Sequence, residues 1–128
     1  MKRSIFAVFA ATFITAGVPV WAHHSFVAAY DMKQPVEFHG TINKVLLQNP
    51  HSWFYIDVKD PNGKTEEWAF EAGTPSGMIR NGYKPGIIHS GIEVTIKGFR
   101  AKDASQNRGM LRELITSDGH VYGLFGPQ

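Results

Sequence analysis

The chain has 128 residues, a formal charge of +2 and no cysteine. One domain is the expectation at this length, and disulfides, thiolate metal sites and a lipidated N-terminal cysteine are excluded. The excess charge comes from Lys2 and Arg3: without them 11 of the 13 basic residues face 11 acidic ones, so residues 23–128 carry no electrostatic footprint for nucleic acid.

Lys2 and Arg3 open an apolar run from Ile5 to Val20, which ends at Val20-Trp21-Ala22. A basic start, a short apolar middle and a small-residue boundary define a secretory signal over residues 1–22. The run falls short of the ~20 apolar residues that a spanning helix needs. The expectation is therefore an exported protein, periplasmic or secreted, with no stable membrane insertion after cleavage. The remaining 106 residues, 23–128 of the 128, start at His23. They divide into a lead segment, 23–35, and one β-domain, 36–128.

The lead reads as irregular through Gln34. Pro35 precedes "VEFHGTINKVLLQN", whose alternation at Val36, Phe38, Gly40 and Ile42 predicts a strand with a bend at Gly40. "SWFYIDVKD" predicts a second strand, with Phe54, Ile56 and Val58 facing the core. Pro61-Asn62-Gly63 is a turn signal, and "TEEWAFE" is the partner strand, so 52–71 reads as a hairpin. Thr74 as N-cap, Pro75 in the first turn and Gly82 past the end predict a short helix. "GIEVTIKGFRA" is a further strand. After a polar loop, "MLRELITSDGHVYGLF" folds as two short strands about Ser117-Asp118-Gly119.

Three strands, a short helix, then two or three strands is the order of an OB-type barrel. The predicted fold is mainly β: a small OB-like antiparallel barrel of five to six strands, with one short helix between the third and fourth. An open antiparallel sandwich is the alternative.

"AHHSF", "NPHSWFYIDVKD", "EAGTPSGMIRNG", "GIEVTIKGFRAKD" and "DGHVYGLF" resemble a family of small exported bacterial proteins classed as a domain of unknown function. The resemblance runs roughly from His23 to Phe125. The His-His-Ser-Phe opening and the Asn-Pro-His-x-Trp turn are its most specific parts. One departure is "HSGIEV", where a Gly-Asp pair is usual. The resemblance implies a small exported β-domain and no particular activity.

A chain cut after Ala22 would begin with His23, whose α-amine and Nδ1 chelate one metal. A third nitrogen from His51, in the Asn49-Pro50-His51 turn, would complete a planar three-nitrogen set suited to Cu(II). The arrangement resembles, as one structural idea, the histidine brace of lytic polysaccharide monooxygenases and periplasmic copper carriers. His24 is a rival ligand, since His23 and His24 can chelate Cu(II) without any fold. Trp53 and Glu71 are candidate supporting residues, Trp53 packing over the site and Glu71 orienting a histidine. Against these stand plainer readings: a solvated terminal histidine pair, and a turn histidine that only bonds within its turn.

His39, His89 and His120 show no linking spacing. Glu66 and Glu67 read as a solvated strand face more readily than as an acid/base pair. No nucleophile motif or phosphate loop is present. The sequence thus points to an exported binding protein that holds copper through His23, His24 or His51, rather than to an enzyme. The alternative is a metal-free module binding a small ligand or protein partner on an aromatic strand face of Trp53, Tyr55, Trp68 and Tyr83.

Overall fold

A computed structural model describes residues 28–125. Its elements are β1 (Tyr30–Leu46), β2 (Trp53–Lys59), β3 (Thr65–Glu71), α1 (Pro75–Arg80), β4 (Glu93–Ala101), β5 (Arg108–Thr116) and β6 (Val121–Gly123). All strands lie in one sheet of order β3-β2-β1-β4-β5-β6, with antiparallel neighbours. A second, parallel pairing joins β3 to β5 through Ala69–Arg108, Phe70–Gly109 and Glu71–Met110. Strands β1, β2, β3, β5 and β4 thereby form a ring of five, with β6 on the flank of β5.

The fold is mainly β, with one short helix between the third and fourth strands among the described residues. Alternation explains which face is enclosed. Phe54, Ile56 and Val58 of β2, Trp68 and Phe70 of β3, Val94 and Ile96 of β4, and Leu111 and Leu114 of β5 are all buried in one cluster. Each such side chain contributes about 1.5–3 kcal/mol by leaving water. Trp68 and Tyr83 belong to this core. The four-residue aromatic face expected from the sequence is thereby reduced to the half-buried Trp53 and Tyr55.

The hairpin of β2 and β3 turns through Asp60, whose carboxylate accepts from the amides of Asn62 and Lys64, both at 2.8 Å. Gly63 takes the positive φ of 82° that the turn requires. Thr74 caps α1 by accepting from Gly77 N at 3.1 Å, and the first helical residue, Pro75, has no amide hydrogen to satisfy. The cap, the proline and the flanking Gly82 all hold their expected places.

Two features of β1 differ from expectation. The strand begins at Tyr30, so Tyr30–Gln34 belong to the sheet rather than to an irregular lead. The polar residues Asp31, Lys33 and Gln34 hid it. They lie in a stretch where the β1–β4 register slips, five steps from Tyr30 to Pro35 matching two from Ala101 to Phe99. Such extra residues do not alternate between core and solvent. The β1–β2 irregularity falls at Asn43, between Ile42 and Lys44. Gly40 serves a close approach instead, because a Cβ there would sit 2.3 Å from the Asp57 carbonyl oxygen.

A smaller cluster of Tyr30, Ala101 and Met110, flanked by Phe99 and Phe125, packs away from the main core. It fixes the start of β1 next to the β3–β5 seam. No helix among the described residues is long and apolar enough to cross a membrane.

Candidate functional site

The period of two along β2 and β3 builds the site. Phe54 and Phe70 point into the core, so their neighbours Trp53 and Glu71, which stand opposite each other across the hairpin, take the outward face. His51, two residues before Trp53, falls on that same face. The ladder continues past the strand ends, with Ser52 N donating to Gly73 O at 3.0 Å and Ala72 N donating to Ser52 O at 2.8 Å. These bonds hold the Asn49-Pro50-His51 turn, whose Asn49–Pro50 peptide is cis, against the end of β3.

His51 Nδ1 lies 3.0 Å from Glu71 Oε1. The other carboxylate oxygen, Oε2, accepts from the Tyr30 hydroxyl and from Arg108 Nη2 at 2.9 Å. Arg108 Nε also donates to the Tyr30 oxygen, at 3.2 Å. The Arg108 guanidinium stands 4.6 Å from the centre of the Trp53 ring, within cation–π range. Four strand ends thus meet: the start of β1, the lead into β2, the end of β3 and the start of β5.

Glu71 is only 6% exposed, and a buried carboxylate is stable only when paired and hydrogen-bonded. Arg108 supplies the opposite charge, and Tyr30 and His51 supply further donors. Burial, reinforced by the bond to Glu71, pushes the Tyr30 phenol well above the usual tyrosine range. Burial works against the Arg108 charge, but the bonds to Glu71 and Tyr30 more than offset this and raise its pKa.

The chemistry follows from the donor inventory. A carboxylate only accepts, so a proton shared across the 3.0 Å contact with Glu71 Oε1 is carried by His51 Nδ1. A histidine braced by a carboxylate in this way is oriented as a metal ligand or proton acceptor.

Of the residues singled out by sequence, His51, Trp53 and Glu71 come together. His23 and His24 lie outside the described residues. His39 is bonded to Thr95, His89 contacts the Ser90 carbonyl, and His120 packs on Tyr122. Glu67 accepts from Asn43 Nδ2 at 2.7 Å on the outer surface. Among the described residues, no three or more His, Cys, Asp or Glu side chains form a group that could hold a metal by themselves. Sequence reasoning missed Tyr30 and Arg108. A glutamate inside the apolar stretch "WAFEAG" does signal the need for a cationic partner, but which of the arginines supplies it depends on the β3–β5 pairing.

A family model described as a family of unknown function (DUF6152) matches residues 11–110, which include Tyr30, His51, Trp53, Glu71 and Arg108. The chain belongs to that family. No curated protein matches it, and no solved structure does.

Proposed function

We propose that this member of the family is an exported OB-type barrel that binds one Cu(II) ion through His51 and a processed N-terminal His23. The observation that carries the reading is the 3.0 Å contact between His51 Nδ1 and Glu71 Oε1. A carboxylate set against one ring nitrogen orients a histidine for metal ligation through the other.

Chain geometry supports a shared site. Tyr30, which bonds to Glu71, follows His23 by seven residues, a span of at most about 25 Å when extended. The α-amine and ring of His23 can therefore reach His51, and three nitrogens in a plane suit Cu(II). The basic start, apolar run and Ala22 boundary support export to a compartment where cleavage exposes that amine. The ring order β1-β2-β3-β5-β4, with α1 between β3 and β4, supports the OB assignment.

Isothermal titration of correctly processed protein with Cu(II) tests the proposal. One equivalent should bind, and His51→Ala should weaken binding at least ten-fold. Equal binding by His51→Ala would assign the metal to His23 and His24 alone and defeat the site.

A further inference from the structure

We propose that residues 78–88 form a peripheral docking surface for an anionic lipid bilayer, in which Ile79 and Ile87 enter the acyl boundary while Arg80 and Lys84 meet the lipid phosphates. The proposal is independent of the copper reading.

Three buried anchors shape the segment. Met78, Tyr83 and Ile88 are each 2% exposed or less and belong to the main core. Tyr83 N donates to Met78 O and Gly82 N donates to Ile79 O, both at 3.0 Å, so the chain turns tightly after α1. Ile87 N donates to Lys84 O at 3.1 Å and closes a second turn. The neighbours of the anchors are left facing outward. Ile79, next to Met78, is 49% exposed, and Ile87, next to Ile88, is 43% exposed. Single exposed apolar side chains are ordinary on a protein surface. Here two of the five large ones among the described residues fall within residues 79–87, on a segment pinned to the barrel, with two cations between them.

Charge selects the occupant. The chain holds 11 acidic residues, and none lies between Glu71 and Glu93. Arg80 and Lys84 are exposed, and no carboxylate among the described residues is within ion-pair distance of either. An acid-free run that alternates exposed isoleucine with cation suits a surface offering both phosphate and hydrocarbon. A polyanion offers charge alone and leaves Ile79 and Ile87 in water. A neutral apolar partner leaves both cations unmatched. Helix α1 has only six residues, so the contact is small, reversible and sensitive to salt.

Vesicle flotation tests the proposal. The probes are vesicles of equimolar phosphatidylglycerol and phosphatidylcholine, and vesicles of phosphatidylcholine alone. The protein is processed to His23, so that the apolar run of residues 1–22 does not contribute. At an ionic strength of about 0.01 M it should float with the anionic vesicles and not with the neutral ones, and about 1 M salt should release it. Arg80→Gln with Lys84→Gln should lower the partition coefficient about twenty-fold, or five-fold per cation. Ile79→Ser with Ile87→Ser should lower it at least about ten-fold. All four side chains are exposed, so thermal melts of both pairs should match the parent. Lys59→Gln with Lys64→Gln removes the same charge from the β2–β3 turn and should leave flotation unchanged. Absence of flotation with anionic vesicles would overturn the proposal, as would flotation that both variants of residues 79–87 retain. Loss in the cation pair with parent-like flotation of the isoleucine pair would also overturn it, and would assign the segment to an acidic partner bound by charge alone.

Discussion

Tyr30 and Glu71 are 41 residues apart in sequence and joined by a buried hydrogen bond between the phenol and Oε2. The bond ties the first residue of β1 to the last residue of β3 and positions the chain entering the sheet beside the candidate site.

Tyr30→Phe removes that bond and leaves Glu71 with one donor fewer. A hydrogen bond to a charged group contributes about 1.5–3 kcal/mol, and the variant should lose a comparable amount in urea denaturation at pH 7. The pH dependence has a definite sign. The Tyr30 pKa is raised by burial and by Glu71, so the unfolded chain loses its phenolic proton first, near pH 10. Stability from this group is present below that pH and lost as pH rises through the folded-state value. Wild type should weaken between about pH 10 and 11, and Tyr30→Phe should weaken less over the same interval. Tyr83, raised by burial, leaves part of the slope in place.

Arg108→Met strands the Glu71 charge. Breaking a buried pair costs ~3–5 kcal/mol, but Arg108 is 36% exposed and water softens the loss to roughly 2–3 kcal/mol. Glu71→Ala combined with Arg108→Met should be less destabilised than the two single losses added together. A double-mutant cycle measured by chemical denaturation should give a coupling of about 1–3 kcal/mol, and strict additivity would show that the pair is not coupled.

Gly98 stands at the β4–β5 register slip, where a Cβ would lie 1.9 Å from the Met110 carbonyl oxygen. The obstacle is backbone and cannot rotate away. Gly98→Ala should destabilise the fold by at least the ~1–3 kcal/mol typical of overpacking. Hydrogen exchange should locate the damage in β4 and β5, with β2 and β3 protected for longer.

Asn43 donates to both Glu67 and Asp57, at 2.7 and 3.5 Å, and these two carboxylates face each other across β2 and β3. Like charges directly opposite destabilise a sheet. Asn43→Ala should cost about 0.5–1.5 kcal/mol, and added salt should recover part of it by screening the exposed pair. A loss that salt leaves unchanged would mean that the asparagine acts through the bulge alone.

Local chemistry made much of this fold legible in the sequence. Alternation identified Phe54, Ile56 and Val58 as the core side of β2, and Asn62-Gly63 placed the hairpin. Thr74, Pro75 and Gly82 bounded α1. The same alternation put Trp53 on the outward side of β2, with His51 in the turn just before it. The rest depends on distant pairing. Nothing local to Arg108 says that it lies beside Ala69 on a parallel neighbour, and nothing local to Tyr30 says that its hydroxyl meets a glutamate. The start of β1 was obscured because the slip before Pro35 breaks the period on which strand recognition relies.

The copper reading is tested most directly by pulsed electron paramagnetic resonance of Cu(II) bound to protein whose first residue is His23, with and without His51→Ala. The account predicts two imidazoles on copper in the parent protein, with the His51 contribution lost in the variant. Identical spectra from the two proteins, or a parent spectrum without a His51 nitrogen, would contradict it.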